Sequence, residues 1–360
     1  MNGYERMMAA IRREQPDRVP IWELIVNRPV IEGLYPDLFE GAQKARYERG
    51  SQGVFELQAD FVEREDLDGI TIFEDMETVR WLDENTYVDE WGIKWKVEPS
   101  GLLYPGGGPL KSREDLADYS PPDPHKERRI STLKEAVDRF GGERAIVFLS
   151  HESFEFSHYL WGMKNLLIDY HRNPSFARRL ARMVTDYKKE LVKAAIDAGA
   201  DAIVTGDDYS NRMGPIMTVD QFREFILPYL REMIRTTKRR GVPFIKHTDG
   251  NIWPLMDMMV DAGIDAIDPL EPVAGMDIGR AKREYGDRLC LMGNIDCGQL
   301  LSNGKESEVV SAVRRTIAEA APGGGYVLAS SNSIHPAVKP DNYAAMVEAG
   351  RSYGRYPISG

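Results

Sequence analysis

Cysteine is scarce in this chain: only Cys290 and Cys297 occur in 360 residues. A disulfide framework is not expected, and a reducing cytoplasm is the default compartment. No apolar run reaches the roughly 18–20 residues that span a bilayer. The opening stretch, MNGYERMMAAIRREQPDR, is charged and lacks a secretory signal's apolar core. Positive charge is in deficit, with 46 Lys and Arg against 57 Asp and Glu and a net charge of −11. Such a surface repels a phosphate backbone, so nucleic acid is not an expected partner. Short basic clusters such as Lys238-Arg239-Arg240 read as solvated helix ends. Repeats, low-complexity linkers and domain boundaries are also missing. Residues 1–360 therefore read as a single domain, and 42% hydrophobic residues leave ample material for a core.

What is present is alternation. Eight short apolar runs lie at 18–26, 67–75, 144–152, 200–208, 242–250, 264–272, 289–296 and 325–334. Helical periods separate them, at 175–199, 218–241, 251–263 and 306–320 most clearly. Thr218 is placed to cap the start of the second of these helices, and Gly241 to stop it. Eight strands each followed by a helix predict a (β/α)₈ TIM barrel, with an open doubly wound sheet as the weaker alternative. Residues 86–104, TYVDEWGIKWKVEPSGLLY, break the rhythm with alternating aromatics around Gly92 and predict a β-hairpin inserted after the second strand. The following YPGGGP (104–109) lacks the strand and helix frame of a phosphate cradle and reads as a loop.

In such barrels the chemistry collects where the strands end. The runs end, in order, near Glu23, Glu74-Asp75, His151-Glu152, Asp207-Asp208-Tyr209, His247-Thr248-Asp249, Glu271, Asn294-Ile295-Asp296-Cys297 and Ser330-Ser331-Asn332. Asp-Gly is a common turn pair, so KHTDGN (246–251) could be a surface turn. Its place after the apolar Val242–Ile245 favours a strand end facing a common mouth. Carboxylates outnumber cations at these ends. Either several are protonated or something positive neutralises them, and a divalent metal is the economical answer. His247, Asp249 and Glu271 are suited to zinc, with Cys297 a weaker fourth; Cys290 lies early in its strand and belongs to the core.

From about residue 140 onward the sequence resembles the uroporphyrinogen decarboxylase superfamily. The segments that carry the resemblance are GDDYSNRMGPIMTVDQFREFILPY (206–229), KHTDGN, the GNID of the seventh run and PGGGYVLASSNSIHPAVKPDNYAAM (322–346). YVDEWGIKWK is similar to the family's insertion. The resemblance implies a (β/α)₈ barrel, usually dimeric. It also implies one of two chemistries: cofactor-free decarboxylation of a porphyrinogen, or zinc-dependent methyl transfer involving corrinoid proteins. Asp75 matches the decarboxylase's essential aspartate. The decarboxylase's arginine-rich "RQAGRY"-type segment is replaced by VNRPVIEGLYPD, with Arg28 alone, and its "GHG"-like turn by Ser331-Asn332-Ser333. An acidic mouth without those arginines repels a polyanion.

The methyltransferase branch looks like His-x-Cys on strand 5 with a further Cys from strand 8, and a related methionine synthase barrel adds a Glu from strand 6. Here the matching positions are His247-x-Asp249 and Glu271, with Ser331 or Asn332 in place of the strand 8 Cys and Cys297 as a substitute thiolate. Hard ligands favour Lewis-acid chemistry on oxygen over thiolate activation. The expectation is a zinc-dependent methyltransferase moving a methyl group from a small O- or N-methyl compound to a separate corrinoid protein. The corrinoid-module signature Asp-x-His-x-x-Gly is only approached at Asp169–Pro174, which reads as a helix-to-loop segment. The runner-up is a carboxy-lyase acting on a smaller substrate; a binding barrel with a decayed site is the third reading. Asp75, Asp207 and His151 are the catalytic candidates. Tyr209, Asn294, Asn332, Trp161 and His335 are the substrate-lining candidates.

Overall fold

Aliphatic runs closed off by Asp, Gly and Pro build a seven-stranded parallel sheet in this computed structural model, which describes residues 1–47, 50–98 and 102–358. The parallel strands are β1 (Gly69–Phe73), β6 (Ala145–Ser150), β7 (Ala202–Thr205), β10 (Phe244–His247), β11 (Ala266–Asp268), β12 (Cys290–Ile295) and β13 (Tyr326–Ser330). They are hydrogen-bonded in that order. Side chains alternate with period two. Val147, Leu149, Val204, Ile245, Ala266, Met292 and Val327 share one buried cluster. Ile146, Phe148, Ile203, Phe244, Ile267, Leu291 and Leu328 pack in a second with the helices. A curled parallel sheet with an inner core and an outer helical layer is TIM-barrel-like.

The first expected strand is the exception. Residues 18–26 form only isolated bridges, Ile21 to Leu328 and Val26 to Ile334 in parallel and Arg18 to Arg355 antiparallel. Pro20 has no N–H to give, which interrupts a ladder. The segment still spans β13 and β1: Trp22 N–H donates to Leu328 O (3.1 Å), and Asp68 N–H donates to Ile21 O (2.9 Å). Asp68, buried, holds it in place by accepting from Ile21 N–H (2.7 Å), Arg18 Nη1 (2.8 Å) and Arg6 Nη1 (2.9 Å). Helix Gly3–Ile11, which the sequence reading passed over, puts Met7, Met8, Ala10 and Ile11 into the inner core.

Between β1 and β6 lies an antiparallel sheet of β2 (Thr78–Asp83), β3 (Thr86–Asp89), β4 (Lys94–Val97) and β5 (Leu103–Gly107), wider than the two strands expected at 86–104. Asp89 ties it together, accepting from Trp91 N–H, Ile93 N–H (2.9 Å each) and Trp95 Nε1 (2.7 Å). YPGGGP is not a free loop, since most of it is β5. Gly108 then passes so close to helix Ser153–Trp161 that a Cβ would lie 2.1 Å from Leu160 O. The smallest sheet, β8 (Ser210–Asn211) with β9 (Gly214–Pro215), follows β7.

The helices at 175–199 and 306–320 stand as Pro174–Asp197 and Glu306–Ala320. The helix expected over 218–241 starts with a capping box between Thr218 and Gln221, then widens into a π turn at Phe222–Ile226 before continuing as Leu227–Lys238. Pro228 lacks the N–H an α-turn needs there, and its ring crowds the preceding turn. The 251–263 segment is shorter than expected, a 3₁₀ turn at Trp253–Leu255 leading into helix Met256–Ala262. Among the described residues no helix is long and apolar enough to cross a membrane.

Candidate functional site

His247 is the last residue of β10 and keeps the parity of Ile245, so it faces the inner side of the sheet. Its Nδ1 lies 2.6 Å from Asp268 Oδ2 at the end of β11, and its Nε2 lies 3.5 Å from Asp249 Oδ1. An aspartate on Nδ1 fixes the ring and leaves Nε2 for another partner. Asp249 follows two residues later. Gly250 then turns the chain with φ +83°, against a wall where a Cβ would sit 2.5 Å from Asn211 O. Only glycine fits that contact. KHTDGN is thus a strand end packed against the β8–β9 hairpin, not a surface turn.

Asn332, from the loop after β13, donates to Asp249 Oδ2 (2.5 Å), while Asp249 Oδ1 is buried without a hydrogen-bond partner. Asp208, following β7, accepts the Asp249 N–H at 3.0 Å. One ligand atom each from Asp208, His247 and Asp249 lie within 4.8 Å of one another. Burial works against charge on His247, but the hydrogen bond and charge of Asp268, with Asp249 and Asp208, raise its pKa to about 9. Burial, then the neighbouring Asp208, raises Asp249 to about 7. Asp208 is raised as well, by burial first, against the pull of His247. Two carboxyls pushed upward beside one imidazole form a donor set short of positive charge. The unpartnered Asp249 oxygen, with His247 Nε2 once a metal displaces its proton, fits a divalent cation.

The other two residues expected at the metal, Glu271 and Cys297, stand beside the trio and hold other partners. Glu271 Oε2 accepts the Gly250 N–H (2.8 Å), and so braces the turn. Cys297 is buried with its sulfur 3.6 Å from Ser331 Oγ, and burial pushes its thiol up to about 12. Asp208 and Asp268 are the partners that residue-by-residue reading left unassigned. Asp208 stood among the strand ends; Asp268 stood inside the sixth run, where only the register against β10 shows that it meets His247.

The catalytic candidates each hold partners outside the Asp208–His247–Asp249 trio. Asp207 is fully buried, and its oxygens accept from the N–H groups of Glu152 and Phe154 (2.8 Å each) and Glu155 (3.1 Å) at the start of helix Ser153–Trp161. His151 packs on Phe156, and burial with the nearby Lys188 charge lowers its pKa to about 3, so it is a neutral imidazole at pH 7. Asp75 accepts from Ser131 Oγ (2.9 Å) through Oδ2; its Oδ1 is buried and unpartnered beside a cavity of 170 Å³ also lined by Val54, Phe55 and Phe73. Of the substrate-lining candidates, Asn332 hydrogen-bonds to the cluster through Asp249. Tyr209 is fully buried and donates to Glu152. Trp161 Nε1 donates to Asp169 (2.9 Å), Asn294 Nδ2 to Met276 O (3.1 Å), and His335 Nε2 lies 3.4 Å from Ser302 Oγ. Asp169, in the imperfect corrinoid-module match, also accepts from Arg113 and Asn173 as an internal tie.

The excess of carboxylates over cations at the strand ends is smaller than the runs suggest. Three buried cations reach it: Arg129 and Lys188, from helical segments, pair with Glu74 (3.2 and 2.8 Å), and Lys246, on β10 itself, pairs with Glu152 (3.0 Å). None of the three pairs with a carboxylate of the Asp208–His247–Asp249 group.

The fold and site thus define a class: a TIM-barrel-like enzyme scaffold with an acidic, metal-competent cluster at its strand ends. The chain belongs to the uroporphyrinogen decarboxylase (URO-D) family, whose model matches residues 2–353. A uroporphyrinogen decarboxylase from Thioalkalivibrio sulfidiphilus is 25% identical, covering 96% of each chain. One from Alkalilimnicola ehrlichii is 27% identical, covering 96% of this chain and 93% of its own. Among solved structures, a methyltransferase from Methanosarcina mazei superposes with a TM-score of 0.79 at 18% identity, covering 98% of this chain and 99% of its own. At that identity the likeness is one of fold.

Proposed function

We propose that this protein is a zinc-dependent methyltransferase component that takes a methyl group from a small O- or N-methyl compound and passes it to a corrinoid protein. The observation that carries this reading is the Asp208–His247–Asp249 cluster, with Asp249 Oδ1 unpartnered and His247 Nε2 freed by Asp268. These three residues would hold the ion. A zinc ion among oxygen and nitrogen donors supplies Lewis-acid withdrawal of charge from a leaving oxygen or nitrogen. The chain's own part is orientation. Asp268 holds the imidazole, Asn332 holds one oxygen of Asp249, Glu271 holds the turn that presents Asp249, and Asp207 holds the helix start beside Asp208. The corrinoid partner, a homodimer and a cytoplasmic setting belong to the same reading.

The test combines metal analysis with turnover. Purified protein should carry about one zinc per chain. With reduced cobalamin and a panel of methyl ethers and N-methyl compounds it should form methylcobalamin, followed by absorbance. A second reading rests on Asp75, whose Oδ1 lies buried and unpartnered, and on the curated relatives named as decarboxylases. It is a carboxy-lyase acting on a substrate smaller than a porphyrinogen, since Arg28, alone in its segment, stacks on Phe39. Metal-free release of CO₂ from a carboxylic acid, with no methyl compound reacting, would establish that reading and overturn the first.

A further inference from the structure

The β7–β10 ladder stops at Lys246 opposite Thr205. Beyond that point Asp208 hangs on irregular backbone, while His247 stays in register with Asp268 on β11. The spacing between Asp208 and His247 is therefore set by contacts outside the ladder, of which the Asp249 N–H donated to Asp208 (3.0 Å) is one. Lys246 is completely buried, as is Glu152, and the two are 3.0 Å apart. The same ammonium donates to Asp207 O (2.9 Å) and Thr205 O (3.5 Å), and lies 4.2 Å from the centre of the Tyr209 ring. Glu152 in turn accepts from Thr205 Oγ1 (2.5 Å) and from the Tyr209 hydroxyl, and Tyr209 N–H donates to Thr248 Oγ1 (2.9 Å). The Lys246 contacts with Asp207, Thr205 and Tyr209, and the Tyr209–Thr248 hydrogen bond, join the backbone that carries Asp208 to the strand that carries His247; Glu152, just past the end of β6, holds Lys246 on one side and Thr205 and Tyr209 on the other. A buried ion pair is weak evidence for stability, because apolar side chains of equal volume often serve as well. Its attested use is to fix one arrangement among several.

We infer that Lys246 and Glu152 are positioning residues that set the spacing of Asp208 from His247 and Asp249, and thereby the affinity and coordination geometry of the cation site. The inference rests on the metal-binding reading above. Groups that orient ligands from behind typically change metal affinity about 10–100-fold when removed.

Lys246→Met alone strands a buried carboxylate and can unfold the chain. The paired variant Lys246→Met/Glu152→Gln removes both charges, preserves net charge and keeps an acceptor for Thr205 and Tyr209. It should melt cooperatively near the wild-type temperature. Its zinc Kd, from competition with a chromophoric chelator, should rise about tenfold or more. Bound Co²⁺ should show a changed visible spectrum. An intact paired variant with a zinc Kd within about twofold of wild type and an unchanged Co²⁺ spectrum overturns the inference. So does a paired variant that fails to fold, which makes the pair purely structural. If wild-type protein takes up neither metal, the proposed function fails by itself. The metal-free His247 imidazole ¹⁵N resonances then decide: a shift in the paired variant supports positioning, and identical spectra overturn it.

Discussion

Cys297 and Asp268 show how single residues divide the site. Sequence spacing offers Cys297 as a thiolate ligand, yet its sulfur faces Ser331 in a buried pocket that disfavours ionisation. Cys297→Ser should leave zinc content and affinity unchanged, measured by metal analysis and chelator competition. Loss of zinc would return the thiol to the ligand set. Asp268 had no assigned role, yet it is the carboxylate on His247 Nδ1. Asp268→Asn keeps the shape but loses the charge that orients and polarises the imidazole. It should weaken zinc binding about 10–100-fold while the thermal midpoint moves little. Cys297 follows the seventh apolar run and Asp268 lies inside the sixth, and the runs alone do not say which side chains meet.

At the scale of elements, helices Pro174–Asp197 and Leu227–Lys238 are cross-linked on their outer faces. Arg182 donates to both oxygens of Glu232 (2.7 and 2.6 Å), and Lys189 adds a third contact (3.1 Å). The Arg182 hydrogen bonds hold the Glu232 carboxyl down at about 2. A folded-state pKa below the unfolded value stabilises above the unfolded pKa, and that stability is lost as pH falls through the folded pKa. Arg182 is 44% exposed, so screening limits the contribution to about 1 kcal/mol. Glu232→Gln should cost about that much at pH 7 in urea unfolding, and the difference from wild type should close between about pH 4.5 and 2. A difference that persists at pH 2 would assign the effect to packing. The helices themselves were legible from their periodicity. The π turn at Phe222–Ile226 and the four-stranded width of the 78–107 sheet were not, because local pattern does not show how Pro228 seats or which edge a Gly-rich strand joins.

Over the whole molecule, the sheet closes through an irregular segment. Residues 18–26 carry few ladder bonds, and Asp68 holds them through Ile21, Arg18 and Arg6. Asp68→Ala leaves two enclosed guanidinium groups without their buried partner and frees the segment between β13 and β1. The expected loss is about 3 kcal/mol in equilibrium urea unfolding. A loss under about 1 kcal/mol would show that the inner core, with Met7, Met8 and Ile11, carries the closure alone.

By itself the sequence determined the alternation of strands and helices, the end of the strands at which polar residues gather, and the presentation of His247 and Asp249 at one of them. These follow from periods of two and 3.6 and from apolar residues leading each run, which are local properties of the chain. The tertiary structure decided which strand ends become neighbours. Register between β10 and β11 brings Asp268 to His247, the end of the β7–β10 ladder leaves Asp208 to complete the cluster, and burial of Arg129, Lys188 and Lys246 neutralises carboxylates that the runs leave unpaired. Contacts between residues tens of positions apart depend on pairing and burial, which no short window of sequence contains.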